Sequence, residues 1–283
     1  MHTSDLDLDR LPADRIAAEV VRIRSGQRVP ATEQDMLAEE TPIALAYNGI
    51  SHATMLASPT DLEDFAVGFS LTEGIVDAAR DVRDIVLNVS EDGVVIDIEI
   101  ASACMARLKN RRRALSGRTG CGLCGVETLP EILRPVAPVT AEINMRLADL
   151  LAGMHAMRRA QALHGATGAT HAAAWITARG ALHAVREDVG RHNALDKLIG
   201  ALAREGTAAG AGAFLVSSRA SFEMVQKTAA AGCPILAAVS APTGLAVRLA
   251  QSSGVTLAGF MRGEDATLYT HPQRLPDCAP SPP

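Results

Sequence analysis

The chain has 283 residues, 48% of them hydrophobic, 3% aromatic and 21% charged, with a formal net charge of -5. That is enough apolar material for one large domain or two smaller ones. The acidic balance excludes a global basic field for nucleic acid, and so few aromatics exclude a base-stacking platform. The first ten residues are acidic and polar, so no secretory signal is read there. Five cysteines, an odd count, suit a reducing compartment. The uncharged run 228–247 is broken by Gly232, Pro234, Pro242 and Gly244, so it reads as buried helix, strand and turn and not as a membrane span. The expectation is a cytoplasmic protein with neither a membrane nor a nucleic-acid partner.

Residues 1–40 are polar and acidic and read as loose, with an amphipathic piece at 16–23 that fits a short strand or helix. Ordered structure begins at Thr41-Pro42. Residues 43–47 and 50–57 flank Asn48-Gly49, the strongest two-residue hairpin signal. Ser58-Pro59-Thr60-Asp61 starts a helix over 62–71, with Glu63 and Asp64 in its first turn. Strands follow at 84–88 and 94–100, then a helix over 101–115. Pro130, Pro135 and Pro138 mark a linker. A long helix is predicted over 141–163, with Leu147, Leu150, Leu151, Met154 and Met157 on one face.

A second unit alternates strand and helix. Strands are predicted at 170–177, 181–186, 214–216, 234–239 and 255–259, with helices from 193 to 204, 221–231 and 244–252. Such alternation implies right-handed crossovers and a mostly parallel sheet. The resulting division is a loose segment 1–40, an α+β part 41–138, an α/β domain 139–273 and a tail 274–283. Three strand-end loops carry more polar chemistry than a turn requires: Glu187-Asp188-Val189-Gly190-Arg191-His192-Asn193, Ser217-Ser218-Arg219-Ala220-Ser221 and Ser240-Ala241-Pro242-Thr243-Gly244. Such loops are the default ligand sites of open α/β sheets. Helix capping by Asp188, Asn193 or the serines explains them equally well.

The chemistry of the chain centres on Gly117-Arg118-Thr119-Gly120-Cys121-Gly122-Leu123-Cys124-Gly125. The glycines permit a remodelled, mobile loop. Lys109, Arg111, Arg112, Arg113 and Arg118 precede or enter it, with no acid until Glu127. Nearby cations stabilise a thiolate, which is the nucleophile. A structural zinc site would need more ligands, and Cys104, Cys233 and Cys278 form no second pair. A thioredoxin-like pair would open a helix after a strand, whereas this pair runs on into Leu129-Pro130.

Tyr47-Asn48-Gly49-Ile50, the stretch 61–69, the cysteine loop, Thr170-His171-Ala172-Ala173, and the stretches 187–197, 217–227 and 240–248 together resemble the formate dehydrogenase accessory sulfurtransferase family. The resemblance runs from about residue 41 to 273. It implies an α/β fold, a cytidine-deaminase-like mixed sheet flanked by helices, with a smaller N-terminal α+β part. It further implies a homodimer that takes sulfur from a cysteine desulfurase as a persulfide. The sulfur passes to the molybdenum (or tungsten) bis-pterin guanine dinucleotide cofactor before formate dehydrogenase becomes active. Carried over by position, Cys121 is the persulfide carrier, Cys124 its partner, and Phe260, Met261, Arg262, Gly263, Glu264 and Asp265 bind the cofactor, for which GDP serves as a fragment mimic. The zinc-deaminase signature is absent, which fits a fold reused for other chemistry. Two other functions stay open: a cofactor chaperone without sulfur transfer, and a dithiol oxidoreductase.

Overall fold

The computed structural model describes residues 11–29, 31–116 and 136–278, with 111–116 as backbone only. Cys121, Cys124, Arg118 and the linker prolines Pro130 and Pro135 lie outside the described residues.

From residue 15 onward the amino-terminal segment is not loose. Strand β1 (Arg15–Val20) pairs antiparallel with β4 (Glu33–Ala38), and β2 (Ile23–Arg24) with β3 (Gln27–Arg28) between them. Charge holds what apolar burial does not: Arg22 meets Glu33 at 2.7 Å and Asp35 at 3.1 Å. The acids that make this stretch look unstructured have partners in the same ladder.

The Asn48-Gly49 hairpin forms as the sequence reads. β5 (Thr41–Tyr47) and β6 (Ile50–Ala57) are joined with Asn48 at φ 48 and Gly49 at φ 76, both left-handed as a type I′ turn demands. β7 (Val82–Ser90) and β8 (Gly93–Ile100) complete a sheet of order β6-β5-β8-β7, in which β5 and β8 run parallel. Helices α1 (Leu62–Thr72) and α2 (Ser102–Ser116) cover one face. Ile43, Leu45, Tyr47, Phe65, Ile96, Ile98 and Leu108 share that core.

The predicted long helix over 141–163 is two helices, α3 (Leu147–Ala160) and α4 (Ala162–Thr167), and 141–146 is not helical. The break has a distant cause. The carboxylate of Glu187 accepts from Leu163 N at 2.9 Å and His164 N at 2.8 Å, restarting the helix after Gln161. Upstream, Val139 N donates to Ser253 O and Met145 N to Arg274 O, which holds that segment extended.

The second sheet has the order β10-β9-β11-β12-β13-β14. Its strands are β9 (His171–Thr177), β10 (Leu182–Asp188), β11 (Gly212–Val216), β12 (Ile235–Ala238), β13 (Thr256–Arg262) and β14 (Asp265–Thr270). Only β11 with β12 and β12 with β13 pair parallel, so the sheet is mixed and not mostly parallel. Tight turns join β9 to β10 and β13 to β14, and so short a connection makes only antiparallel neighbours. Helices α5 (Arg191–Glu205), α6 (Phe222–Ala230) and α7 (Gly244–Ser253) cover one face over Ala173, Trp175, Phe214, Leu236 and Leu257. α3 covers the other, over Ala172, Ala174, Ile176, Leu215 and Ala258. The period-two alternation of strands filled on both faces explains their near-continuous apolar sequence. No described helix is long and apolar enough to cross a membrane.

The two units meet where α1 crosses α5. A Cβ on Gly68 would overlap the backbone carbonyl of Asp196, and one on Gly200 would overlap that of Asp64. Around this crossing stand ion pairs. Asp64 meets Arg186 at 2.8 Å and Arg204 at 2.6 Å, and Asp196 meets Lys227 at 2.9 Å.

Candidate functional site

Strand direction makes one edge of the second sheet special. β10 and β11 are both antiparallel to β9, and β12 and β13 are parallel to β11, so these four strands point the same way. Their carboxyl ends at Asp188, Val216, Ala238 and Arg262 therefore lie along one edge. The strand-end loops singled out from sequence converge there.

Residues 260–265, which follow the strand predicted at 255–259, are themselves part of a strand pair. Phe260, Met261 and Arg262 end β13, Gly263 and Glu264 make the turn, and Asp265 opens β14, an edge strand that the sequence reading missed. The register between β13 and β14 slips between Gly259 and Arg262. Phe260 sits at φ 53, a left-handed conformation that costs a non-glycine residue about 1–2 kcal/mol. The slip reverses the strand's alternation, so Met261 joins the same core as Ala258. Bulges of this kind re-aim side chains beside functional sites. Phe260 is left 43% exposed.

Met261, Arg262 and Gly263 form one wall of a cleft of about 150 Å³. Met154, His155, Met157 and Arg158 of α3 form the opposite wall, and Gln161, His164, Ser217 and Val239 complete it. Phe260, Glu264 and Asp265 do not line it. Arg262 Nε donates to Val239 O at 3.1 Å, which pins its stem and leaves the terminal nitrogens for a ligand. Among the described residues no carboxylate lines the cleft, so two guanidiniums and two imidazoles face an apolar floor of methionines. Such a surface suits a planar, anionic ligand group. His155, Arg158 and His164 were missed from sequence, where only the apolar face of this helix was marked.

The strand-end loops divide. Asp188 and Asn193 do not cap α5, whose start has no side-chain cap. Asp188 instead pairs with Lys197 at 2.7 Å, both fully buried, and accepts from Ser58 N and Gly190 N. Lys197 donates to Ser58 O at 2.9 Å, and Asn193 to Leu56 O at 3.0 Å. Most of this motif thus clasps the amino-terminal unit. Ser217 Oγ accepts from Ala172 N, and Thr243 caps α7 through Ala246 N, so both are engaged locally. Of the three described thiols, Cys104 and Cys233 are buried and Cys278 is partly exposed; burial pushes the Cys233 thiol up to about 12.

The matching of known proteins agrees with the fold. The model of the FdhD/NarQ family matches residues 38–276. The chain is 60% identical over 275 residues to the sulfur carrier protein FdhD of Bordetella bronchiseptica, covering 97% of this chain and 98% of that one. It is 55% identical over 267 residues to the sulfur carrier protein FdhD of Cupriavidus necator, covering 94% and 92%. A crystal structure of a formate dehydrogenase accessory protein from Desulfotalea psychrophila superposes with TM-score 0.75 at 27% identity, covering 93% of this chain and all of that one. The fold, with its mixed sheet, is therefore shared with that accessory protein. The chain belongs to the FdhD/NarQ family.

Proposed function

We propose that the protein is a sulfur carrier for formate dehydrogenase, receiving sulfur from a cysteine desulfurase on Cys121 and passing it to the molybdenum bis-pterin guanine dinucleotide cofactor. The full-length likeness to proteins named sulfur carrier FdhD is the observation that carries this reading. The Cys121 thiolate attacks the terminal sulfur of the desulfurase persulfide, and the desulfurase cysteine leaves as its thiolate. Cys124 then attacks Cys121 Sγ, releasing sulfide to the cofactor and leaving a disulfide that a cellular thiol reduces. The two cysteines supply the two electrons that convert sulfane sulfur to sulfide. The protein acts in the cytoplasm as a homodimer in this reading.

The acceptor is a substrate here. The cleft supports its placement: Arg158 and Arg262 suit phosphate and His155, His164 and the methionines suit a flat ring. At about 150 Å³ it falls below the roughly 300–1,000 Å³ of drug-sized sites, so it seats one end of a dinucleotide. Arg262→Ala should weaken GDP by about 1.5–3 kcal/mol, one charge-assisted contact, as read by calorimetry. Unchanged affinity would remove Arg262 from the ligand.

The carrier itself is tested by incubating the full chain with a cysteine desulfurase and cysteine, then mapping adducts by mass spectrometry. Sulfur is expected on Cys121, absent in Cys121→Ala, and never on buried Cys104 or Cys233. An adduct-free Cys121 with intact GDP binding would leave the cofactor chaperone as the function.

A further inference from the structure

One polar side chain of the cleft is explained neither by phosphate nor by ring stacking. Gln161 lines the cleft and is only 8% exposed. Its amide has no hydrogen-bond partner among the described residues. The amide is nonetheless reachable, because the one fully enclosed side-chain atom without a partner among those residues belongs to Arg191. Buried amides are nearly always hydrogen-bonded, so one left open on a cleft wall is placed to meet a ligand.

Capping is the ordinary use of a polar residue at a helix break, and Gln161 stands between α3 and α4. It makes no side-chain cap there. The N–H groups of Leu163 and His164 that it would serve are held by Glu187, at 2.9 and 2.8 Å. The distant carboxylate thus frees the amide for the cleft. Two neighbours in the lining have their polarity fixed in the same way. His164 Nδ1 lies 2.8 Å from Thr170 O, and a carbonyl can only accept, so Nδ1 carries the hydrogen. In the neutral ring Nε2 is then a bare acceptor. Ser217 Oγ accepts from Ala172 N at 2.8 Å, which leaves its own hydrogen to donate.

We propose that Gln161, His164 and Ser217 read the hydrogen-bonding edge of the ring seated in this cleft. The edge they fit is a carbonyl, a ring N–H and an amino group in a row, which guanine shares with a pterin. Its two donors face two acceptors, Gln161 Oε1 and His164 Nε2. Its carbonyl accepts from Ser217 Oγ or Gln161 Nε2. Adenine offers an amino group and a bare ring nitrogen at the first two places, so acceptor would meet acceptor. A site built to hydrogen-bond one edge rejects an analogue that leaves its buried polar atoms unpaired. The inference rests on the placement of the cofactor in this cleft given above and makes these three positioning residues that set specificity.

Calorimetry on the full chain tests it with GDP, IDP and ADP, which carry the same diphosphate on different rings. The wild type should bind GDP about tenfold or more tighter than ADP, with IDP, which lacks only the amino group, between them. Equal affinities for GDP and ADP overturn the proposal, and this arm needs no variant. In Gln161→Leu the affinity for GDP should fall about tenfold or more, toward that for ADP, while ADP itself binds as before. A parallel loss of both nucleotides gives Gln161 a structural role only and overturns its assignment, as does an unchanged preference. Neopterin, a pterin without phosphate, tells the two rings apart. Displacement of GDP opens the seat to either ring, and none at saturating neopterin confines it to guanine. Sulfur on Cys121 is read separately by mass, so a failed carrier leaves the ring preference standing and a failed preference leaves the carrier standing.

Discussion

Gly200→Ala is expected to destabilise the protein by about 3–5 kcal/mol, the upper end of what a single substitution does. At the crossing of α1 and α5, a Cβ on Gly200 would overlap the Asp64 carbonyl and lie 2.8 Å from Gly68 N. Both obstacles are helix backbone, which no rotamer change can move aside. Alanine is the better helix former, so propensity alone predicts a gain. Gly206→Ala is the matched comparison. Gly206 has φ 75 but nothing within 4 Å of its added Cβ, so it loses only about 1–2 kcal/mol to strain. Urea unfolding followed by circular dichroism ranks the two. Equal losses would mean that space at the crossing is not what requires glycine.

Lys227→Met should cost about 3–5 kcal/mol near neutral pH, because it strands a buried carboxylate. Asp196 receives Lys227 Nζ on both oxygens, at 3.0 and 2.9 Å, and Thr72 Oγ1 at 2.7 Å. Lys227 also reaches Glu73 at 3.2 Å and lies 5.6 Å from the centroid of Phe69. Burial already pushes the Asp196 carboxyl up against the pull of the ammonium. Without the ammonium it rises further. A folded-state pKa above the unfolded value means the folded protein binds the extra proton, so the variant regains stability as pH falls through that titration. The gap to wild type should narrow from neutral to mildly acidic pH. A gap independent of pH would show that lost packing, not a stranded charge, is the cause.

The parts of the fold legible in sequence are those whose causes are local. Asn48-Gly49 specifies its turn, and the apolar runs of β9, β11, β12 and β13 specify buried strands. What was not legible has a remote cause. No residue between 141 and 163 says that a helix should break at Gln161, because the capping carboxylate belongs to Glu187. β14 is a short edge strand with exposed residues, and Phe260 hides a change of face within an ordinary strand sequence. The candidate cleft was half legible. Met261, Arg262 and Gly263 line the cleft, but the α3 wall could not be matched to them without the tertiary fold. The sequence signal for the buried ion pairs was present: Asp196-Lys197 interrupts a helix that is otherwise inward-facing, and charges at such positions need partners.

That arrangement bears on how the family is recognised. The stretch from Glu187 to Lys197 carries part of the resemblance read from the sequence, yet Glu187, Asp188, Asn193 and Lys197 hold together α4, the hairpin end at Leu56 and Ser58, and the second sheet. Their geometry is indifferent to whether position 121 bears sulfur. A duplicated copy could lose both cysteines and still keep every one of these contacts. It would answer to the same signature while being inert as a carrier, and only the edge residues and the thiols would tell the two apart.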